Sequence, residues 1–117
     1  MSGMILPNLI AVRQGDSFDV VLKFVNKQGQ KIDLTDSVFE MQVREIDSDN
    51  LVFTKKGEVT ASEAMASFAL TPAETKYDPA DYKVDIQWTD KDGRVNTIFP
   101  MDVNKTGIFR ITEQVTK

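Results

Sequence analysis

Between Tyr82 and Thr89 the chain alternates large apolar residues with polar ones: Tyr82, Val84, Ile86 and Trp88 against Lys83, Asp85, Gln87 and Thr89. A period of two puts one set on each side of an extended strand, one side buried and the other wet, and a helical period cannot satisfy it. Asp90-Lys91-Asp92-Gly93 follows, with acids able to bond nearby backbone and a glycine free to take a positive φ. Val95 to Val103 then reads as the returning strand, with Val95, Thr97, Phe99, Met101 and Val103 on one phase and Ile98 on the other. Pro100 interrupts it, and a bulge or a sheet edge is expected there because proline donates no ladder hydrogen bond. So explicit a hairpin commits the neighbouring chain to a sheet. Its inward residues, which include the only Trp, are expected to seed the core.

The rest of the chain repeats the pattern. Leu9–Arg13 reads as a short first strand; Phe18, Val20, Leu22 and Phe24 point inward from a second, leaving Val21 and Val25 on a partly apolar outer face. Phe39, Met41 and Val43 form the inner face of a strand over Val38–Ile46, and Leu51–Thr54 is a short strand after the polar loop Asp47-Ser48-Asp49-Asn50. Ile32 and Leu34 plug the edge of the core. Lys55–Ala64 reads as a loop with one paired stretch around Val59, and Met65–Leu70 as a strand with Ala66, Phe68 and Leu70 inward. Thr71-Pro72-Ala73-Glu74 is a helix-start signal, a Thr cap with Pro first and Glu third, so a single helical turn is expected near residues 72–76 before Pro79 stops it. Tyr82 has two readings: a corner tyrosine whose hydroxyl reaches loop backbone, or a core aromatic with a wet tip. Ile108–Ile111 is a last short strand or the start of a linker. Strands at roughly ten-residue spacing with turn residues between them predict an all-β sandwich or barrel. The expected organisation is an N-terminal arm over residues 1–8, one domain over 9–111 and a tail over 112–117.

Composition narrows the chemistry. The chain has 117 residues, enough for one core, and contains neither Cys nor His. Disulfides, thiolate metal sites and the usual general base are therefore excluded. A net charge of −4 with scattered Lys and Arg leaves no basic stripe for nucleic acid. No apolar run is long enough to insert into a membrane. The first residues lack the basic start and apolar core of a signal peptide, so synthesis in a cytosol is expected.

Individual constellations point the same way. Asp47-Ser48-Asp49-Asn50 opens like a calcium loop, but its sixth place is Val52, where glycine is required, so a polar hairpin loop is the reading. Glu40, Glu45 and Asp85 fall on solvent faces rather than in one cleft. Ser and Thr lack a base, and each glycine outside the N-terminus stands alone in a turn, so no phosphate cradle forms. Neither a cofactor nor catalysis is expected.

Several stretches together nevertheless form a pattern: Arg13-Gln14-Gly15-Asp16-Ser17-Phe18, Gly29-Gln30-Lys31-Ile32-Asp33-Leu34-Thr35, Leu70-Thr71-Pro72-Ala73-Glu74-Thr75, Tyr82-Lys83-Val84-Asp85-Ile86-Gln87 and Asp92-Gly93-Arg94-Val95-Asn96-Thr97. In order and spacing they resemble the immunoglobulin-like domains of tailed-phage and prophage structural proteins, notably the N-terminal domain of the baseplate upper protein family. The resemblance spans about Arg13 to Val103. It departs at Pro79-Ala80-Asp81-Tyr82, where many relatives have a Pro-Gly-Thr-Tyr-like sequence, and the chain stops soon after the last strand.

The resemblance implies an immunoglobulin-like antiparallel β-sandwich of about seven to eight strands. It implies a non-enzymatic role in a virion tail, attaching baseplate or tail-fibre parts, after synthesis in the bacterial host cytoplasm. Other tail or baseplate proteins are the expected partners, with a homo-oligomer or a host surface receptor as further ones. Its family assigns no catalytic residues. Apolar side chains at the two ends of the domain are the candidate partner contacts: Ile5, Leu6, Leu9 and Ile10 near the N-terminus, and Ile108, Phe109 and Ile111 near the C-terminus. The rival reading is a carbohydrate- or receptor-binding module, which would need exposed aromatics, with Phe53, Tyr77 and Phe99 as candidates.

Overall fold

The structure, a computed structural model, describes residues 3–101 and 104–113. Ten strands are formed: β1 (Gly3–Leu6), β2 (Leu9–Arg13), β3 (Phe18–Lys23), β4 (Val38–Arg44), β5 (Leu51–Lys56), β6 (Glu58–Thr60), β7 (Met65–Leu70), β8 (Ala80–Thr89), β9 (Val95–Phe99) and β10 (Ile108–Thr112). A smaller sheet runs β3-β7-β6. The larger runs β1-β2-β10-β8-β4-β5, with β9 also on β8. Between the sheets lies one core, in which Phe39, Phe68, Phe99 and Phe109 are fully buried. Burying each such side chain contributes about 1.5–3 kcal/mol. With β3, β7 and β6 facing β4, β8 and the β9/β10 pair, the strand order is that of an immunoglobulin-like sandwich. All pairings are antiparallel except β2 with β10, where the beginning and end of the domain run side by side.

β8 organises the larger sheet as its alternation predicts. Tyr82, Val84 and Ile86 are buried, and Trp88 lies over Phe39 at 5.8 Å while its indole N–H donates to Ser37 Oγ at 2.9 Å. The turn after it is tied by Asp90, whose carboxylate accepts from the N–H groups of Asp92 and Arg94, with Gly93 at φ +82°. Tyr82 is a corner tyrosine: its hydroxyl donates to the Asp78 carbonyl at 2.7 Å.

Four expectations are corrected. First, residues 3–6 are not a free arm. They pair with β2 through a tight turn and cover its edge. Second, the stretch at 72–76 does not become a helix. Glu74 N–H bonds the Thr71 carbonyl and Thr75 N–H that of Pro72, which makes two overlapping turns. The Glu74 carboxylate does reach back to Thr71 N–H as the capping signal predicts, but the buried Thr75 spends its hydroxyl on the Asp16 carbonyl at 2.7 Å, which anchors the turn to another loop. The one helical segment described is a 3-10 turn at Ala61–Glu63. Third, β5 continues to Lys56, so the loop begins later than expected; the paired stretch expected around Val59 is β6, which follows at once. Gly57 links them where a Cβ would come within 3.0 Å of the Phe68 ring. Fourth, Ile98 is the extra residue of a bulge between Ile86↔Phe99 and Gln87↔Thr97. The bulge beside Pro100 is as expected, but it reverses the phase: Phe99 is buried while Val95 and Thr97 face outward. Val103 lies outside the described residues.

Candidate functional site

The seven candidate contact residues come together at one end of the larger sheet, where β1, β2 and β10 are neighbours. The register sorts six of them into two rows, Leu6↔Leu9↔Ile108 and Ile5↔Ile10↔Phe109, and sets Ile111 beside Val12. In the second row Ile10 and Phe109 are fully buried and Ile5 packs against the core, and Ile111, on the same face, is 3% exposed. These four point inward. Alternation along each strand gives them to the core, so Ile5, Ile10, Phe109 and Ile111 are corrected from partner contacts to packing residues.

Leu6, Leu9 and Ile108 remain on the outer face, Leu6 at 45% exposure and the other two half-buried. The next row adds Met4 beside Ala11, with Met4 49% exposed. Met101 joins from the far side, because its N–H donates to the Pro7 carbonyl at 2.9 Å, and its side chain is 60% exposed. Sequence reasoning missed Met4 and Met101. Period two within Gly3-Met4-Ile5-Leu6 would have paired Met4 with Leu6, but only the pairing with β2 shows which face is outside. Nothing in the sequence near Met101 signals a contact with the Pro7 turn.

Charge is cancelled at the border of this apolar face. Arg110 and Asp81 sit opposite each other on β10 and β8, and the guanidinium donates to both carboxylate oxygens at 2.7 and 3.1 Å. That bond holds the Asp81 carboxyl below its usual value and raises Arg110.

Among the described residues no strand pairs with the second side of β1. Alternate residues of an antiparallel edge strand turn their N–H and C=O groups away from the partner. Natural edges are blunted by charge, proline, bulges or brevity. β5 carries Lys55, Lys56 and an irregular register at Val43/Arg44; β6 has three residues including Glu58; β3 carries Asp19 and Lys23. Among the described residues β1 is the edge strand with no charge, proline or bulge.

Among the described residues no cluster of His, Cys, Asp or Glu is arranged to hold a metal ion. The acids of the Asp47–Asn50 loop are used locally: Ser48 Oγ donates to Glu45, and Asp49 pairs with Lys83 at 2.7 Å, which lowers its carboxyl. Among the described residues no helix is long and apolar enough to cross a membrane. Two of the three aromatics a sugar-stacking platform would use are packed inward, and Tyr77 is half-buried. Phe99 is buried, and Phe53 is sandwiched between Tyr77 at 6.2 Å and Phe109 at 5.9 Å. In comparisons with known proteins, no family model matches the chain and no curated protein matches it.

Proposed function

We propose that this chain is a non-enzymatic assembly module of a phage or prophage tail, of the baseplate or tail-fibre attachment kind, that works by pairing the free side of β1 with a strand of a neighbouring subunit. The family resemblance supplies the setting. The observation that carries the pairing is the uncharged, open β1 edge, continuous with the outer apolar row of Met4, Leu6, Leu9 and Ile108. A second copy of the chain is the first partner to test, because two antiparallel β1 strands related by a two-fold axis place identical uncharged edges together. A contact of this size is weak once the entropy of association is subtracted.

Light scattering after size-exclusion chromatography, from about 1 μM to about 1 mM, spans the affinity such a contact gives. The expected result is a mass that rises to a discrete dimer or ring and that Met4→Lys returns to the monomer without lowering the melting temperature. A monomer at every concentration rejects self-pairing.

A further inference from the structure

On the outer face of the larger sheet, one edge of β8 is handed from β10, which pairs with Ala80–Lys83, to β9, which pairs with Ile86–Thr89. Just before β10, the Gly107 carbonyl accepts the Val84 N–H at 2.9 Å. A Cβ on Gly107 would collide with the Val84 carbonyl oxygen, so this close approach depends on glycine. Between Pro100, Lys105, Thr106 and Gly107 on one side and the middle strands β4 and β8 on the other lies a hollow of about 480 Å³. That is within the range of roughly 300–1,000 Å³ typical of small-molecule sites.

The polar groups around the hollow divide into two sets. One set is already engaged: Lys83 pairs with Asp49 at 2.7 Å, and the Arg44 guanidinium donates to the Asp49 carbonyl at 3.1 Å and to Gln42 Oε1 at 3.3 Å. The other set is not. Among the described residues the side chains of Asp85, Thr97, Lys105 and Thr106 have no hydrogen-bond partner, although all four line the hollow. Asp85 is half-buried, and burial pushes its carboxyl up; Arg44 opposes the rise and Glu40 adds to it. A carboxylate in this state gains from a donor.

A ligand that satisfies this set must donate to Asp85 and accept from Lys105, while the two threonine hydroxyls take either role. An anion meets Lys105 but is repelled by Asp85, and a cation does the reverse. A hydroxyl group donates and accepts on one oxygen, and adjacent hydroxyls do so in a row. The Pro100 ring adds an apolar wall against which the C–H face of a sugar ring can lie. We infer that this hollow binds a neutral polyhydroxylated ligand, a saccharide or alditol unit, held by Asp85, Thr97, Lys105 and Thr106. Among the described residues no aromatic ring lines the hollow, so hydrogen bonds take the place of aromatic stacking. The inference is independent of pairing at β1 and uses none of its residues.

The test is titration of the isotopically labelled full chain, followed by amide chemical shifts, with five neutral probes: glucose, galactose, rhamnose, N-acetylglucosamine and ribitol. Sodium acetate and L-arginine serve as charged controls. Probe concentrations up to about 50 mM reach the weak affinities expected of single sugar units. At least one neutral probe is expected to move the amides of Asp85, Thr97, Lys105, Thr106 and Gly107 saturably. Asp85→Ala should weaken it by about tenfold or more, as loss of a hydrogen bond to a charged group does, with the melting temperature unchanged or raised. Lys105→Met should weaken it as well and covers the case in which the Asp85 variant folds poorly. The inference is overturned if no neutral probe moves these amides, if a charged control moves them equally well, or if both variants bind as the parent does.

Discussion

Tyr82 joins a buried ring on β8 to the loop that precedes it through a single 2.7 Å hydrogen bond to the Asp78 carbonyl. Tyr82→Phe keeps the ring and removes the bond, and should cost about 1 kcal/mol in chemical denaturation with an unchanged dependence on denaturant. Two carboxyls carry opposite pH signatures. Burial works against ionisation of Glu74, but the Thr71 N–H and Lys55 at 3.0 Å outweigh it, so its carboxyl lies below the ordinary 4.5. Its stabilising contribution is present above that value and is lost as pH falls through 4.5 and below. Asp85 is the reverse. Its raised carboxyl contributes stability below the ordinary 3.8 that is lost as pH rises through the folded-state value. Thermal melts should therefore show Asp85→Asn stabilised at about pH 7 and indifferent at about pH 3, and Glu74→Gln destabilised at about pH 7 with the gap closing on acidification. At this scale alternation named the inward residues of β4 and β8 from the sequence. It left the Tyr82 hydroxyl open between two partners, because a loop carbonyl four residues upstream is placed by tertiary contacts. It also put Val95 and Phe99 on one phase, which the bulged residue Ile98 separates.

The β8–β9 hairpin is the element whose turn was written out in residue types. Gly93 stands at φ +82° with nothing within 4 Å of an added Cβ, so the cost of a side chain there is conformational and not steric. Gly93→Ala should destabilise by about 1 kcal/mol, read as a lowered denaturation midpoint, while leaving the pairing of Thr89 with Val95 intact in amide exchange. Where the turn chemistry competed with tertiary contacts, the sequence was a poorer guide. Thr71–Glu74 carries a helix-start signal and forms its capping bond, yet Thr75 is drawn to Asp16 and the helix goes no further. β6 is three residues long, too short for a period to register, yet it forms where a paired stretch around Val59 is expected, on the edge that Ala66 and its neighbours on β7 offer.

Across the whole molecule, β2 and β10 run parallel with about a hundred residues between them in sequence, and no local pattern announces such a pairing. That pairing gathered all seven candidate contact residues at one end of the larger sheet and also sorted them. Leu6 and Phe109 were indistinguishable in sequence, both apolar and both near an end. They are separated by the register, which puts Leu6 on the row that faces outward and Phe109 on the row that faces the smaller sheet. Phe109 is fully buried and meets Phe53 edge to face at 5.9 Å. Phe109→Ala should cost about 3–5 kcal/mol through lost burial and a cavity, which is a large part of the 5–15 kcal/mol a small domain has. Leu6→Lys places an ammonium on a long stem where the side chain is already 45% exposed, so the denaturation curve should move by less than about 0.5 kcal/mol. The same charge sits on the open edge, where lysine is the usual block to strand pairing, so it should abolish concentration-dependent mass in light scattering. Denaturation and mass, measured on both variants, therefore separate packing from assembly. A Leu6→Lys protein that melts far below the parent would make β1 part of the core, and one that melts normally yet still self-associates would move the interface to another edge.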